Sequence, residues 1–294
     1  MSVGLKPVGD ALQTGIQRLR AAGSPTPRLD AELLLAHVTG QNRSWVLAHP
    51  EAELNEAAAF EAALDRRARG EPIAYIRGFK EWRSLRIRTD PRALIPRPET
   101  ELLAESAMAE VAARLAHDGE PVVAWEVATG SGAVVVALAL AFRSDLELGR
   151  LTLIASDASP EALELASENL AEHGVDRLVT LADADLLGPA GGRLPRPGIV
   201  VANLPYVTTA EVDARWGSLA HEPRLALDGG PDGLALLRRL LADLLMRAAP
   251  GATALLEIGA GQVAAVAALA PVGASVSVVP DLAGLDRVMR FGLP

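Results

Sequence analysis

The chain contains no cysteine. Disulfides, thiolate metal sites and a cysteine nucleophile are thereby excluded, and a reducing compartment fits that absence. Aromatic residues are also scarce, at 3% of 294 positions. With 50% hydrophobic residues and so few rings, the core must be aliphatic and helix-rich, so each aromatic side chain stands out. Long apolar runs are missing too. The longest, Ala133–Phe142, falls well short of the about 20 residues a membrane-spanning helix needs. Met1–Gly15 carries Lys6 and Asp10 without a sustained apolar stretch, so no signal peptide is evident. Positive charge is outweighed, with a formal net charge of −9, which argues against a broad electrostatic grip on nucleic acid while leaving room for a local basic patch. His173 and His221 lack partners at metal-ligand spacing, and no Ser sits in a Gly-x-Ser-x-Gly elbow, so neither a metal site nor a hydrolase triad is expected. The protein reads as soluble and cytoplasmic, with room for one large domain or one plus a smaller one.

What is present falls into three stretches, expected as a helical N-terminal domain (1–72), a β-hairpin linker (73–92) and a larger domain (93–294). Leu29–Val38 has helical spacing and stops at Gly40, and a second helix over about Glu53–Arg69 ends at Gly70 and Pro72. His37 and His49 in this region read as surface or packing residues. From Ile73 to Arg88 apolar and polar residues interleave, and Arg77-Gly78 offers a turn, which predicts a hairpin. A long helix to about Ala116 follows Pro98. Beyond Pro121 strands and helices alternate. Strands are expected at Val122–Val127, Leu151–Ser156, Val179–Ala182, Ile199–Ala202 and Thr253–Ile258, and two more in Ala274–Val279 and Arg287–Gly292. Helices are expected to start near Gly132, Pro160, Gly233 and Gly261. This alternation predicts a doubly wound α/β domain, with a mostly parallel sheet covered on both faces. Gly188–Gly198 reads as a surface loop, and Tyr206–Asp232 is long enough for a lid or substrate loop.

Ligands of open α/β sheets bind at the carboxyl ends of the strands, and four successive strand ends here carry chemistry. The first is Glu126-Val127-Ala128-Thr129-Gly130-Ser131-Gly132, whose glycines allow a tight turn and close approach of a ligand. A dinucleotide fingerprint wants a third Gly where Val135 stands, so a pyrophosphate is disfavoured and a nucleoside remains. Asp157 closes the second strand and can accept from both hydroxyls of a ribose; alternatively Asp157 or Ser159 caps the helix that Pro160 begins. Asp183-Ala184-Asp185-Leu186 closes the third, where a carboxylate and a backbone N–H can meet the edge of a purine, or simply form a solvated turn. The fourth is Asn203-Leu204-Pro205-Tyr206. Its Asn oxygen and a neighbouring carbonyl can accept both hydrogens of a planar –NH2 group, with the Tyr ring against the flat face. Asn and Pro also simply terminate strands.

Taken together, these segments resemble the release-factor glutamine methyltransferases of the PrmC/HemK family, within the class I S-adenosylmethionine-dependent methyltransferases. The resemblance rests on Gly70-Glu71-Pro72-Ile73-Ala74-Tyr75-Ile76, Leu94-Ile95-Pro96-Arg97-Pro98-Glu99-Thr100-Glu101, the Gly loop, Asp157, Asn203-Leu204-Pro205-Tyr206 and the run His221–Gly233. It implies a Rossmann-like catalytic domain with a seven-stranded, mostly parallel sheet and a small all-α N-terminal domain for substrate recognition. Two departures stand out. The family's Asp-x-Gly-x-Gly-x-Gly loop here has Glu126 and Ala128, and a methyl group at 128 is tolerable where the local φ is negative. The family's Asn-Pro-Pro-Tyr has Leu204 in place of the first Pro, which leaves the carbonyl in place.

The resemblance implies transfer of a methyl group from S-adenosylmethionine, leaving S-adenosylhomocysteine, to the side-chain amide of the Gln in the Gly-Gly-Gln loop of class I peptide-chain release factors. Ala128, Thr129, Gly130, Ser131, Gly132, Asp157, Asp185, Leu186 and Asn203 would hold the cofactor, with Arg97, Thr100 and Glu101 at its methionine end. Asn203, Leu204, Pro205 and Tyr206 would hold the glutamine. No general base is obvious. Three other readings compete: an adenine-N6 methyltransferase on DNA or RNA, a glutamine methyltransferase on a ribosomal protein, and a non-catalytic cofactor-binding module. The net charge opposes the first, Pro98-Glu99-Thr100 the second, and the intact Asn203 and Tyr206 the third.

Overall fold

Lys6–Pro7 (β1) leads into helix α1 (Val8–Ala21), followed by α2 (Pro27–Thr39) and α3 (Arg43–Ala48). Glu53–Leu54 (β2) pairs back on β1, and α4 (Ala57–Ala68) and α5 (Ile73–Arg77) complete the helical stretch. The computed structural model describes residues 6–117, 119–188, 194–214 and 217–294. Within them the chain divides into two compact units, Met1–Phe79 with Arg215–His221, and Lys80–Ala214 with Glu222–Pro294. The first unit is held by an aliphatic core that includes Leu19, Leu34, Leu35, Leu64 and the ring of Phe60. Its buried Asp30 is matched by Arg67 at 2.7 Å and by the hydroxyls of Ser24 and Thr26, which offsets the cost of burying a charge.

The hairpin expected from Ile73 onward begins later than its pattern indicated. Residues 73–77 form α5, because Pro72 opens a helical turn and Gly78, at φ +76°, closes it as a left-handed cap. The strands are β3 (Phe79–Trp82) and β4 (Leu85–Arg88), and the turn between them is Arg83-Ser84. Both turn residues have positive φ, 48° and 60°, as a two-residue turn matched to strand twist requires, although neither is Gly or Asn. Sequence patterning had no means of finding it.

In the second unit α6 (Thr100–His117) precedes the alternation β5 (Val122–Val127), α7 (Ala133–Ala141), α8 (Arg143–Glu147), β6 (Leu151–Asp157), α9 (Pro160–Glu172), β7 (Val179–Asp183) and β8 (Ile199–Ala202). Then come α10 (Thr209–Asp213), α11 (Ala235–Arg247), β9 (Thr253–Glu257), α12 (Val263–Ala267), β10 (Ser275–Pro280) and β11 (Asp286–Gly292). The seven strands from β5 onward form one sheet in the order β10-β11-β9-β8-β5-β6-β7. Pairings from β9 through β7 are parallel, while β11 is antiparallel to both neighbours. Central strands β8 and β9 are buried along their whole length, as a sheet covered on both faces demands, and β10 is an exposed edge that ends at Pro280.

Most of the longest apolar run has become α7, buried from Ala133 to Ala139 and on all sides. A helix of that length, apolar all round, belongs in a core. Among the described residues no helix is long and apolar enough to cross a membrane. Part of the loop expected at Gly188–Gly198, residues 189–193, lies outside the described residues. The Tyr206–Asp232 segment is not structureless: it contains α10, two single turns and a bridge between Val207 and Asp228.

Candidate active site

The chain builds outward from β5 through β6 to β7, then returns so that β8 lies on the other side of β5. At that reversal the loops leaving β5 and β8 part in opposite directions and open a crevice. Register fixes what faces it. Val127 pairs with both Ser156 and Ala202, and Asp157 pairs with Asp183. The residues after these positions, Ala128, Asn203 and Ala184, therefore leave the sheet side by side. They line a cavity of about 360 Å³, within the size range of small-molecule sites. Of the expected cofactor residues, Ala128, Thr129, Gly130, Ser131, Asp157, Asp185, Leu186 and Asn203 line it, and so do Leu204 and Pro205. Gly132 and Tyr206 do not.

Gly132 shapes the loop instead. Its φ is +77°, and a Cβ there would lie 3.1 Å from the Cβ of Ala166, so only Gly permits this approach of α7 to α9. A Cβ at Gly130 would meet only Ala93, at 3.9 Å, which leaves its backbone open to the cavity. Asn169, fully buried on α9, donates to the carbonyls of Ser131 (2.8 Å) and Arg88 (3.1 Å) and accepts from the Arg88 N–H, which locks the loop to β4. Glu126, buried at the end of β5, accepts from the Thr129 hydroxyl at 2.8 Å. Burial pushes its carboxyl up to about 8, against the hydrogen bonds from Thr129 and the Val135 N–H, so it is protonated at neutral pH.

Asp157 uses one oxygen to accept from the Gly130 N–H (2.9 Å) and the other to accept from the Ser159 N–H (3.0 Å). Burial raises its pKa, and these backbone donors oppose the shift. The helix cap is Ser159, whose hydroxyl accepts from the Ala162 N–H with Pro160 at the first turn. Asp157 thus clamps the Gly loop to the end of β6 and still lines the cavity. Asp185 reaches the rim, where Arg239 engages it at 2.6 Å, while Asp183 does not line the cavity.

On the opposite wall, Asn203 donates from Nδ2 to the Thr100 hydroxyl oxygen at 3.1 Å. Glu257, at the end of β9, lies near enough to Thr100 and Asn203 that both lower its pKa against burial. Glu257 is 2% exposed, and its Oε2 is buried with no hydrogen-bond partner. Burial raises its pKa to about 7. Among the described residues neither Asn203 Oδ1 nor the Leu204 carbonyl accepts a hydrogen bond. Tyr206 stands toward β9. Its carbonyl accepts from Gln262, its ring abuts Gly259, and burial together with the nearby Glu257 keeps its phenol protonated.

Comparison with known proteins bears on both units. Residues 10–78 match the family model for the PrmC N-terminal domain. Release factor glutamine methyltransferase from Moorella thermoacetica is 40% identical over 285 residues, covering 94% of this chain and 95% of the relative. The protein of the same name from Deinococcus radiodurans is 38% identical, covering 96% of each. The chain belongs to the release factor glutamine methyltransferase family. Among solved structures, the hMettl16 catalytic domain in complex with MAT2A 3'UTR hairpin 1 aligns with a TM-score of 0.51 at 12% identity, covering 83% of this chain and 84% of that one. Identity that low carries the fold alone, and it agrees with the doubly wound, mostly parallel sheet.

Within this family the two segments most specific to the resemblance turn out to touch. Glu222, buried at 2% exposure, accepts from the Ile95 N–H at 3.1 Å and from Arg97 at 2.6 Å. Trp82 Nε1 donates to the Arg97 carbonyl from the hairpin. This anchors Pro96 and Arg97 on one side of the cavity mouth and Pro223, Leu225 and Ala226 on another. Arg97 and Thr100 line the cavity; Glu101 turns away and accepts from the Arg83 N–H. The departures also resolve. Leu204 is 3% exposed and packs in the core between β8, β9 and α11, an apolar residue in an apolar place. Ala128 has φ +56°, not the negative value that would accommodate its methyl group, so this chain carries strain where Gly is relaxed. Sequence reasoning missed the burial of Glu257, because nothing in the run Leu255-Leu256-Glu257-Ile258 sets a buried acid apart from the end of an ordinary strand.

Proposed function

We propose that this protein transfers a methyl group from S-adenosylmethionine to the side-chain amide nitrogen of the Gln in the Gly-Gly-Gln loop of class I peptide-chain release factors. The carrying observation is the pair of open acceptors, Asn203 Oδ1 and the Leu204 carbonyl, on adjacent residues at the cavity wall. A primary amide presents two N–H groups in one plane, and such a pair of acceptors can take both. Holding them aligns the nitrogen for in-line attack and stabilises the positive charge that develops there as the bond forms. The proton displaced by the methyl group leaves to water.

The opposite wall fits the cofactor. The open backbone at Gly130 allows close approach, and Asp157, already fixed by two N–H groups, has lone pairs left for a pair of vicinal hydroxyls. Asp185 and Leu186 stand where the base edge would lie. When bound, S-adenosylmethionine supplies an electrophilic methyl on a sulfonium. The chain's own part is to exclude water, orient the amide and keep Glu126 neutral beneath the loop, which avoids a repulsive charge beside Asp157. The helical first domain (1–72) is assigned the docking of the release factor, with 73–92 as the connection to the catalytic domain (93–294), and the enzyme is placed in the cytoplasm with its substrate.

The test is incubation with methyl-labelled S-adenosylmethionine, purified release factor and, separately, DNA and RNA. Label is expected in the release factor. Label confined to nucleic acid would point to an adenine amino group as the true acceptor and overturn the assignment.

A further inference from the structure

A solitary exposed apolar side chain is ordinary on a protein surface, but one that stands beside a binding cavity is placed to meet what enters it. Of the large apolar side chains that are more than half exposed among the described residues, Leu225, at 59%, is the one that lines the cavity. It occupies the middle of a single turn, Arg224–Ala226, which begins after Pro223. We propose that Leu225 is a substrate-specificity residue: a fixed apolar ledge at the cavity mouth, against which the backbone flanking the reactive Gln packs, and which favours glycine at the position it touches. This rests on the functional reading above.

The ledge is held from both sides. Before it, the buried Glu222 accepts from the Ile95 N–H at 3.1 Å and from Arg97 at 2.6 Å. Within the turn, Arg224 pairs with Asp213, at the end of α10, and with Asp228 at 2.9 Å. After it, Leu227 is buried and its carbonyl accepts from the Val207 N–H at 3.1 Å, while the Val207 carbonyl accepts from the Gly229 N–H at 2.8 Å. Val207 directly follows Asn203-Leu204-Pro205-Tyr206, so the segment that carries Leu225 is stitched by backbone hydrogen bonds to the segment that carries the two open acceptors. A Leu side chain on so constrained a turn cannot retreat from water, and it gains burial only when another molecule covers it. The site names the occupant. A Gln side chain that reaches into the cavity leaves its own backbone at the mouth, where Pro96, Pro223 and Leu225 present apolar surface. The peptide planes and Cα atoms of glycine can lie against that surface. A Cβ pointing at Leu225 would lift the backbone and draw the amide away from Asn203 Oδ1 and the Leu204 carbonyl.

The experiment is steady-state kinetics on two substrates, a release factor with its natural Gly-Gly-Gln loop and the same protein with a Gly-Ala-Gln loop, together with calorimetry of S-adenosylmethionine binding. In Leu225→Ala, KM for the natural release factor is expected to rise roughly tenfold, with kcat and cofactor Kd changed by about twofold at most. Leu225→Met, which keeps the apolar volume, should recover most of the lost affinity, which separates contact with substrate from damage to the turn. On the Gly-Ala-Gln protein the wild type should lose on the order of a hundredfold in kcat/KM relative to Gly-Gly-Gln, and Leu225→Ala only about tenfold. An unchanged KM in Leu225→Ala, equal discrimination by variant and wild type, or a change confined to cofactor Kd, which would make Leu225 a cover for the cofactor, would overturn the inference while the functional reading stands. A wild-type chain that methylates no release factor would overturn both.

Discussion

The two walls of the crevice between β5 and β8 are finished to different degrees. On the β5–β7 side the polar groups satisfy one another: Asp157 holds Gly130 and Ser159, Glu126 holds Thr129, and Asn169 holds Ser131. On the β8–β9 side they do not. Asn203 Oδ1, the Leu204 carbonyl and Glu257 Oε2 are left without partners among the described residues. Asn203 and Leu204 line the cavity, so their unpartnered acceptors are open to a bound molecule, whereas Glu257 does not line it. Under the proposed function, the first wall would receive the cofactor and the second would keep its acceptors for the group that reacts.

This contrast predicts that substitutions on the two walls separate chemistry from binding. The largest effect should come from Asn203→Ala, with kcat falling about a thousandfold while calorimetry finds S-adenosylmethionine affinity within a few-fold of wild type. Turnover close to wild type would mean the amide is held elsewhere. Next is Asp157→Ala, where cofactor Kd should rise by roughly thirtyfold or more, as expected for loss of charge-assisted hydrogen bonds worth about 2 kcal/mol. An unaltered Kd would reduce Asp157 to a clamp on the Gly loop.

Glu126 tests the finished wall through pH. Its native pKa, raised by burial to about 8 from 4.5, means the folded protein keeps a proton that the unfolded chain has released. Stability from this group is full below about 4.5 and declines as pH rises through 8. Glu126→Gln should therefore melt at a higher temperature than wild type above pH 8, with the difference closing toward pH 5. If the two melting curves run parallel across the range, Glu126 is not the titrating group. The smallest effect concerns Ala128. Relief of its φ of +56° by Ala128→Gly should raise stability by about 0.5–1 kcal/mol, since the greater freedom of Gly in the unfolded chain offsets part of the gain. Urea titration reads this directly, and a loss of stability would show that the Ala128 methyl contributes packing worth more than the strain.

On both walls the residues that end strands were legible, and the side-chain contacts that tie them together were not. Alternating apolar runs gave the sheet, because central strands must be apolar on both faces, and Gly130, Asp157 and Asn203 were visible because each ends such a run. The turn at Arg83-Ser84 was hidden, since neither residue type favours positive φ and Gly78 offered a false turn that became a helix cap. The contact of Glu222 with Ile95 and Arg97 joins segments more than a hundred residues apart, which no local pattern encodes.

The most direct measurement is mass spectrometry of the Gly-Gly-Gln peptide from a release factor incubated with this enzyme and S-adenosylmethionine, with Asn203→Ala in parallel. One added methyl group on the Gln side chain, present with the wild type and absent with the variant, is the predicted result. A methyl group on another residue of the release factor, or an equally modified Gln with Asn203→Ala, would contradict the account.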